Sequence, residues 1–309
     1  MSRLRWITSG ESHGPRLVAI VEGVPSGMDL LASDIDGDLS RRQKGYGRGG
    51  RMKIEHDKVE ITSGVRGGKT LGSPIAMAIE NRDHASWKGR MGAEPFAEPP
   101  EALTRPRPGH ADLSGGLKYD RKDLRDILER ASARETAART AVGAVAKKLL
   151  GEVGIDVFGH VISIGDVQAK EIADLAEIKR LARSSDLACA DPEAEEKMKQ
   201  AIHATSHAGD TLGGIFEIIA TGVMPGLGSH VHWDRKLDGR LAQAMMSIQA
   251  IKAVAIGDGE DAARRRGSTV HDPIFYDAKM KKFTRPSNHA GGLEGGITNG
   301  EPVVVRGFM

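Results

Sequence analysis

A glutamate, a serine and a histidine lie between two glycines near the N-terminus, in the sequence GESHG (residues 10–14), one residue after the run LRWIT. Glycines at both ends of such a stretch allow a tight turn and a close approach of the backbone to a ligand. An imidazole held there can exchange protons near neutral pH. The stretch therefore predicts either a turn that points Glu11, Ser12 and His13 at a ligand or a polar surface turn, and both interpretations stay open.

Two further stretches concentrate positive charge. The sequence RRQKGYGRGGR (residues 41–51) holds five cations and no acid, and TRPRPGH (residues 104–110) carries Arg107 and His110 on a segment that its prolines stiffen. Guanidinium groups bind phosphate or carboxylate through paired hydrogen bonds, and neighbouring glycine N–H groups can close around a small anion. The alternatives are a solvated basic loop and an RNA contact of the arginine–glycine type.

The third candidate is an alanine-rich helix predicted over Asp123 to Gly151. Its helical spacing places Arg134 and Glu135 near one apolar stripe. Burying either charge unpaired would cost several kcal/mol. The helix therefore faces a ligand cavity, or both ions are paired in the core. Small neighbouring residues favour a flat surface for a planar ligand: Ala131, Ser132 and Ala133.

These residues must be positioned by a mixed set of strands and helices. Further helices are predicted over Asp34 to Gln43 and Lys236 to Ala255, and a peripheral helical excursion over Ala169 to Ala208. Seven alternating segments predict strands: LRWIT, RLVAIVEGVP, VEITSGV, PIAMAIE, VFGHVISIG, GGIFEIIATGV and PVVVRGF. No linker or internal repeat is evident, so we expect one α+β domain over residues 1–309.

Composition excludes several classes of protein. Hydrophobic residues make up 39% and charged residues 28%, and the formal net charge is only +2, which gives no global attraction to nucleic acid or membrane. The single cysteine, Cys189, excludes an internal disulfide and fits a reducing compartment. No signal peptide, membrane span or metal motif is present, so we expect a cytoplasmic protein without a metal.

The motifs GESHG, GYGRGGR, RPRPGHAD, ERASARETAAR and GGLEGG occur in this order, and from Arg3 onward the chain resembles the chorismate synthase family. The resemblance implies a β-α-β sandwich with helices packed between antiparallel sheets, and a homotetramer. It implies the 1,4-anti elimination of phosphate from 5-enolpyruvylshikimate 3-phosphate to give chorismate. This carbon–oxygen lyase reaction requires reduced FMN, with NADPH as a possible reductant.

The resemblance also implies roles for individual residues. His13 matches the residue that protonates the departing phosphate, and His110 the one that protonates the reduced flavin. The substrate anions are expected at Arg42, Arg48, Arg107, Ser132 and Arg134. The FMN contacts are expected at Arg130, Ala131, Ser132, Gln249, Ala250 and Gly295.

One departure from the family concerns the C-terminus. Family members continue beyond the position of Met309 with a lysine- and proline-rich loop for the FMN phosphate and an Arg-x-Asp motif. We therefore expect weakened FMN binding and low turnover in this chain. The alternatives are a homologue that binds the anionic substrate without efficient turnover, and a nucleic-acid binder that uses the arginine–glycine loop. An assay with reduced FMN tests the first, and the salt dependence of RNA binding tests the second.

Overall fold

The computed structural model describes residues 4–47 and 54–309 of the chain. Backbone packing divides these residues into two compact units. The first unit holds the described residues up to Lys44 and from 54 to Leu149, and the second holds Gly45–Gly47 and Leu150–Met309. Each unit has its own hydrophobic core. The single domain expected over residues 1–309 stays a prediction.

The elements of the first unit are β1 (Arg5–Ser9), β2 (Arg16–Glu22), α1 (Ala32–Gln43), β3 (Val59–Ser63), β4 (Val65–Arg66), β5 (Lys69–Thr70), β6 (Ile75–Glu80), α2 (Asp112–Tyr119), α3 (Arg125–Ala131) and α4 (Thr136–Glu152), the last of which extends past Leu149 into the second unit. The unit is built on a four-stranded antiparallel sheet with the order β1-β2-β6-β3. Alternate residues of β2 are buried, which is the pattern of a strand with one face on a core. Buried side chains of α1 and α4 belong to the same core.

The helix predicted over Asp123 to Gly151 is interrupted, so its continuity was wrong. Ser132 adopts an extended conformation (φ −61°, ψ 145°) between α3 and a short 3₁₀ turn at Ala133–Glu135. Its hydroxyl oxygen accepts a hydrogen bond from the Arg134 N–H at 3.2 Å. A serine in this conformation caps the N-terminus of the next helical segment, and helix propensity alone does not reveal the change.

The elements of the second unit are β7 (Asp156–Ile164), β8 (Val167–Gln168), α5 (Leu175–Ser184), α6 (Pro192–His207), β9 (Gly214–Thr221), α7 (Leu237–Met246), β10 (Ala253–Ile256), β11 (Phe275–Asp277), β12 (Lys282–Thr284), β13 (Leu293–Glu294), β14 (Ile297–Thr298) and β15 (Val303–Phe308). The unit contains a five-stranded antiparallel sheet with the order β10-β15-β9-β7-β8. Its core includes Val303 and Val305 of β15, with Leu241 and Met245 of α7 packed against it.

All seven predicted strands form, and the helical excursion over Ala169 to Ala208 contains α5 and α6. The α+β class is therefore confirmed. The helix predicted over Lys236 to Ala255 ends at Met246, because Ala253–Ile256 pairs with β15 as a strand. Within the described ranges, no helix combines the length and the apolar character needed to cross a bilayer.

Candidate active site

The GESHG turn lies directly after β1 and is fixed from two directions. Gly10 has a φ of +106°, and a Cβ at this position would lie 2.5 Å from the Arg16 carbonyl oxygen, so the turn requires glycine. The Asn81 side-chain amide donates to the carbonyl oxygens of Glu11 (3.1 Å) and Gly14 (2.8 Å). The Ser12 N–H donates to the carbonyl oxygen of Glu129 at 2.9 Å. The backbone around His13 is therefore held in one conformation.

The imidazole of His13 is held by a carboxylate and an aromatic ring. Its Nδ1 lies 2.8 and 2.9 Å from the two carboxylate oxygens of Glu129, and its backbone N–H donates to the same group at 2.8 Å. The ring stacks on Trp87 with a centroid separation of 4.1 Å and an interplanar angle of 24°. Nε2 lies 3.6 Å from an Asp83 carboxylate oxygen. The ring plane and the direction of both nitrogens are thus defined.

Glu129 was not predicted as a site residue from the sequence. It opens the ERASARETAAR segment, but its spacing does not distinguish it from a surface glutamate of an amphipathic helix. In the structure its side chain is 1% exposed, and an Arg125 nitrogen lies 3.7 Å from it. Burying a carboxylate without a partner costs free energy. The contacts of Glu129 with Arg125 and His13 offset this cost and allow the side chain to be buried.

Arg134 and Arg42 converge on the buried carboxylate of Asp57. Arg134 donates to both Asp57 oxygens at 2.7 and 2.8 Å and to the Asn81 side-chain oxygen at 2.8 Å. Arg42 lies 3.4 Å from Asp57 and donates to the Thr136 hydroxyl and the Ala133 carbonyl oxygen. Of the two alternatives left open for Arg134, core pairing is therefore observed.

Glu135, the second charge of the stripe, is paired as well. It accepts hydrogen bonds from Arg139 at 2.8 Å and from the Thr8 hydroxyl at 2.7 Å. Because Asn81 also holds the GESHG turn, the Arg134 cluster and the His13 turn share one anchor. Arg134 thus forms part of the frame that positions His13, and Glu135 is paired separately.

Arg107 and His110 meet at another buried carboxylate, Asp112. The Asp112 side chain is 0% exposed and accepts hydrogen bonds from the Arg107 backbone N–H (3.1 Å), from Arg107 Nε (3.2 Å) and from His110 Nδ1. Burial raises the pKa of the Asp112 carboxyl, but these hydrogen bonds from Arg107 and His110 lower it more, so its pKa lies below the usual 3.8. The Arg107 side chain remains 54% exposed. This cluster therefore combines an oriented imidazole with an accessible guanidinium.

A large cavity lies in the first unit, with a volume of about 1170 Å³. Two of the predicted flavin-contacting residues, Arg130 and Ala131, line it together with Glu129. Arg130 is fixed by hydrogen bonds to the Thr8 and Gly10 carbonyl oxygens at 2.8 and 3.2 Å. Charged side chains of both signs line the cavity: Lys88, Arg90, Arg121, Arg125 and Arg130, and Glu11, Asp123, Asp126 and Glu129.

Of the other predicted flavin-contacting residues, Ser132 lies in the first unit at the break after α3, and Gln249, Ala250 and Gly295 lie in the second unit. Gln249 and Ala250 follow α7, and Ala250 has a φ of +68°, which is rare for a residue with a Cβ and occurs often at functional sites. Gly295 occupies the two-residue turn of the β13–β14 hairpin, with a φ of +60°. A Cβ on Gly295 would meet no atom within 4 Å, so open space lies beside this turn.

The cavity that Arg130 and Ala131 line is large enough to hold a ligand of the size of a flavin. The cavity at Arg130 exceeds the usual range of roughly 300–1,000 Å³ for sites that bind small molecules. Arg48 lies outside the described residues. No group of three or more potential metal ligands is found within residues 4–47 and 54–309.

Comparison with known proteins identifies the family. A family model described as chorismate synthase matches residues 4–309. Chorismate synthase 1 of Bacillus cereus is 56% identical over 313 residues, which is 99% of this chain and 80% of the relative. Chorismate synthase of Geobacillus kaustophilus is 55% identical over 311 residues with the same coverage. A crystal structure of chorismate synthase aligns with a TM-score of 0.85 and 48% identity, covering 100% of this chain and 83% of the other. The chain therefore belongs to the chorismate synthase family.

Proposed function

We propose that this chain converts 5-enolpyruvylshikimate 3-phosphate to chorismate and inorganic phosphate with reduced FMN as the cofactor. The observation that carries the proposal is the family match over residues 4–309. In this elimination the C–O bond to phosphate breaks, the phosphate keeps the electron pair, and a ring hydrogen is lost as a second double bond forms. Reduced FMN, when bound, lends electron density to the substrate and recovers it, so the reaction has no net redox change.

His13 is the proposed proton donor to the departing phosphate. Its Nδ1 contacts Glu129, so Nε2 is the nitrogen from which a proton can reach a ligand. A general acid of this kind contributes typically 10²–10⁴-fold to the rate. His110 is the proposed proton donor toward the reduced flavin, and Asp112 fixes its Nδ1 in the same manner.

The substrate carries a phosphate and two carboxylates, and arginines are the proposed ligands for them. Among the described candidates, Arg107 is the most accessible, and Arg48 is proposed from the resemblance. Arg42 and Arg134 make hydrogen bonds to several protein groups, so we propose that any contact they make with substrate is geometrically fixed by Asp57. Ser132 is proposed to contribute at the break between α3 and α4.

From the family resemblance, the FMN contacts are proposed at Arg130, Ala131, Ser132, Gln249, Ala250 and Gly295. Reduction of FMN by NADPH, assembly into a homotetramer and a cytoplasmic location are further parts of the proposal, supported by the family resemblance. Anaerobic spectroscopy with NADPH and a mass measurement of the native assembly test the first two.

The direct test is an anaerobic assay of the chain with chemically reduced FMN and 5-enolpyruvylshikimate 3-phosphate. Chorismate and phosphate should appear in equal amounts, and His13→Ala should lower kcat while leaving KM nearly unchanged. Binding of substrate without formation of either product would favour the binding-protein alternative. A loss confined to KM in His13→Ala would assign His13 to binding instead of proton transfer.

A further inference from the structure

At the GESHG turn, His13 and Glu129 form a close hydrogen-bonded pair. Both carboxylate oxygens lie within hydrogen-bond distance of Nδ1, at 2.8 and 2.9 Å, and one of them also accepts the His13 backbone N–H. Glu129 is 1% exposed and the His13 side chain is 20% exposed. One nitrogen of the ring therefore faces a buried acceptor, and the other is directed away from it.

A buried carboxylate at Nδ1 determines which nitrogen carries the proton in the neutral ring. An ionised carboxylate only accepts hydrogen bonds, so Nδ1 must be the donor. The lone pair of the neutral imidazole is then on Nε2, which is the nitrogen that gains and loses a proton. When the ring is doubly protonated, the same carboxylate stabilises its positive charge.

The orientation of the ring is fixed independently of Glu129. The Trp87 ring stacks on the imidazole at 4.1 Å, and an Arg125 guanidinium lies 5.0 Å from the centre of the Trp87 ring. The His13 carbonyl oxygen accepts a hydrogen bond from His84 Nδ1 at 2.8 Å. Stacking defines the plane of the imidazole but does not choose between its nitrogens. The choice of tautomer therefore depends on the carboxylates that face the two nitrogens, and Glu129 at 2.8 Å from Nδ1 is within hydrogen-bond distance whereas Asp83 at 3.6 Å from Nε2 is not.

We propose that Glu129 is a positioning residue that holds His13 with Nδ1 protonated and leaves Nε2 as the atom that exchanges the catalytic proton. The catalytic part of this inference, the step that uses the proton, rests on the proposed function. The assignment of the tautomer rests on geometry alone. Among the described residues, the titratable groups in contact with His13 include Glu129 at Nδ1, Asp83 at Nε2 and His84 at the backbone, and Arg125 neutralises part of the Glu129 charge.

The test combines tautomer-sensitive NMR with kinetics on the full chain. Histidines are labelled with ¹⁵N, and the His13 signals are assigned by their loss in His13→Gln. The unmodified chain should show Nδ1–H in neutral His13. Glu129→Gln replaces an acceptor by an amide that can donate to Nδ1, so the Nε2–H tautomer should increase. Its kcat should fall about 10²–10⁴-fold with KM nearly unchanged and a shifted pH profile.

Two further variants separate positioning from general damage. Glu129→Asp keeps the carboxylate and should restore Nδ1–H and part of the lost kcat. Glu60→Gln is the control, because it removes another carboxylate of the same unit. The Glu60 side chain is exposed and paired with Arg16, so this variant should behave like the unmodified chain. A fall in kcat in Glu129→Gln without a change of tautomer would overturn the inference.

The tautomer of neutral His13 can be measured in the unmodified chain, so this result does not depend on whether a variant folds. Finding neutral His13 with its proton on Nε2 would overturn the inference and leave the proposed function standing. Retention of turnover in His13→Ala would instead overturn the proposed role of His13, and with it the catalytic part of the inference. The two failures are therefore distinguishable.

Discussion

Replacing Asp57 by asparagine should cost the first unit a large part of its stability. The Asp57 side chain is 0% exposed and lies 2.7 Å from Arg134 and 3.4 Å from Arg42. Asparagine has nearly the same shape but no charge, so two guanidinium groups lose their shared counter-ion, while Glu55 remains 3.6 Å from Arg134. Removing one partner of a buried ion pair costs about 3–5 kcal/mol. A Coulomb energy of about 4 kcal/mol for unit charges 4 Å apart at an effective dielectric constant of about 20 gives the same scale.

Equilibrium unfolding in urea measures this loss. Trp6 and Trp87 lie in the first unit and Trp233 in the second, so a Trp233→Phe background restricts the fluorescence signal to the first unit. With a slope of about 2 kcal/mol per molar urea, the midpoint of Asp57→Asn should fall by roughly 1.5–2.5 M. The matched control is Asp29→Asn, since Asp29 forms an exposed pair with Lys69 at 2.6 Å, and its midpoint should not change measurably.

The outcome that refutes the reasoning is a midpoint for Asp57→Asn close to that of the control. The buried cluster would then contribute no net stability, and the desolvation of its charges would balance their attraction. A changed slope with an unchanged midpoint would point to a different unfolded state instead.

Three further predictions concern binding, capping and pH. Arg107→Ala should weaken substrate binding by about one to two orders of magnitude, because a charge-assisted bond to an anion is lost; unchanged affinity by calorimetry would remove Arg107 from the site. Ser132→Ala should lower the free energy of unfolding by about 1 kcal/mol through loss of the cap at the 3₁₀ turn, and an unchanged urea midpoint would contradict this. The pKa of Glu193 is lowered to about 2 by hydrogen bonds from Lys170 and Lys197 and by their charges. Its stabilising effect should therefore be complete above about pH 4.5 and be lost as the pH falls toward 2; an NMR titration midpoint near 4.5 would show that the two pairs are not formed in solution.

Much of the local structure could be predicted because it depends on local periodicity. Buried and more accessible residues alternate along the strand Arg16–Glu22, because successive side chains of a β-strand point to opposite faces. The sequence RLVAIVE is therefore recognisable as a strand. The helix boundaries were less predictable. Ser132 interrupts an alanine-rich run of good helix formers, and Ala253–Ile256 becomes a strand because β15 lies beside it. The pairing with β15 depends on a segment about fifty residues away, which no local pattern encodes.

The sequence by itself determined the family, the strand pattern and the residue types at the candidate site. The tertiary structure decided which charges meet. His13 pairs with Glu129 across 116 residues, and Arg134 pairs with Asp57 across 77. The helical spacing allowed Arg134 to face either a ligand or a core partner, and only the packing of the segment that carries Asp57 resolved it. The physical reason is that a buried charge is tolerated only beside its counter-ion, and the fold determines where that counter-ion lies.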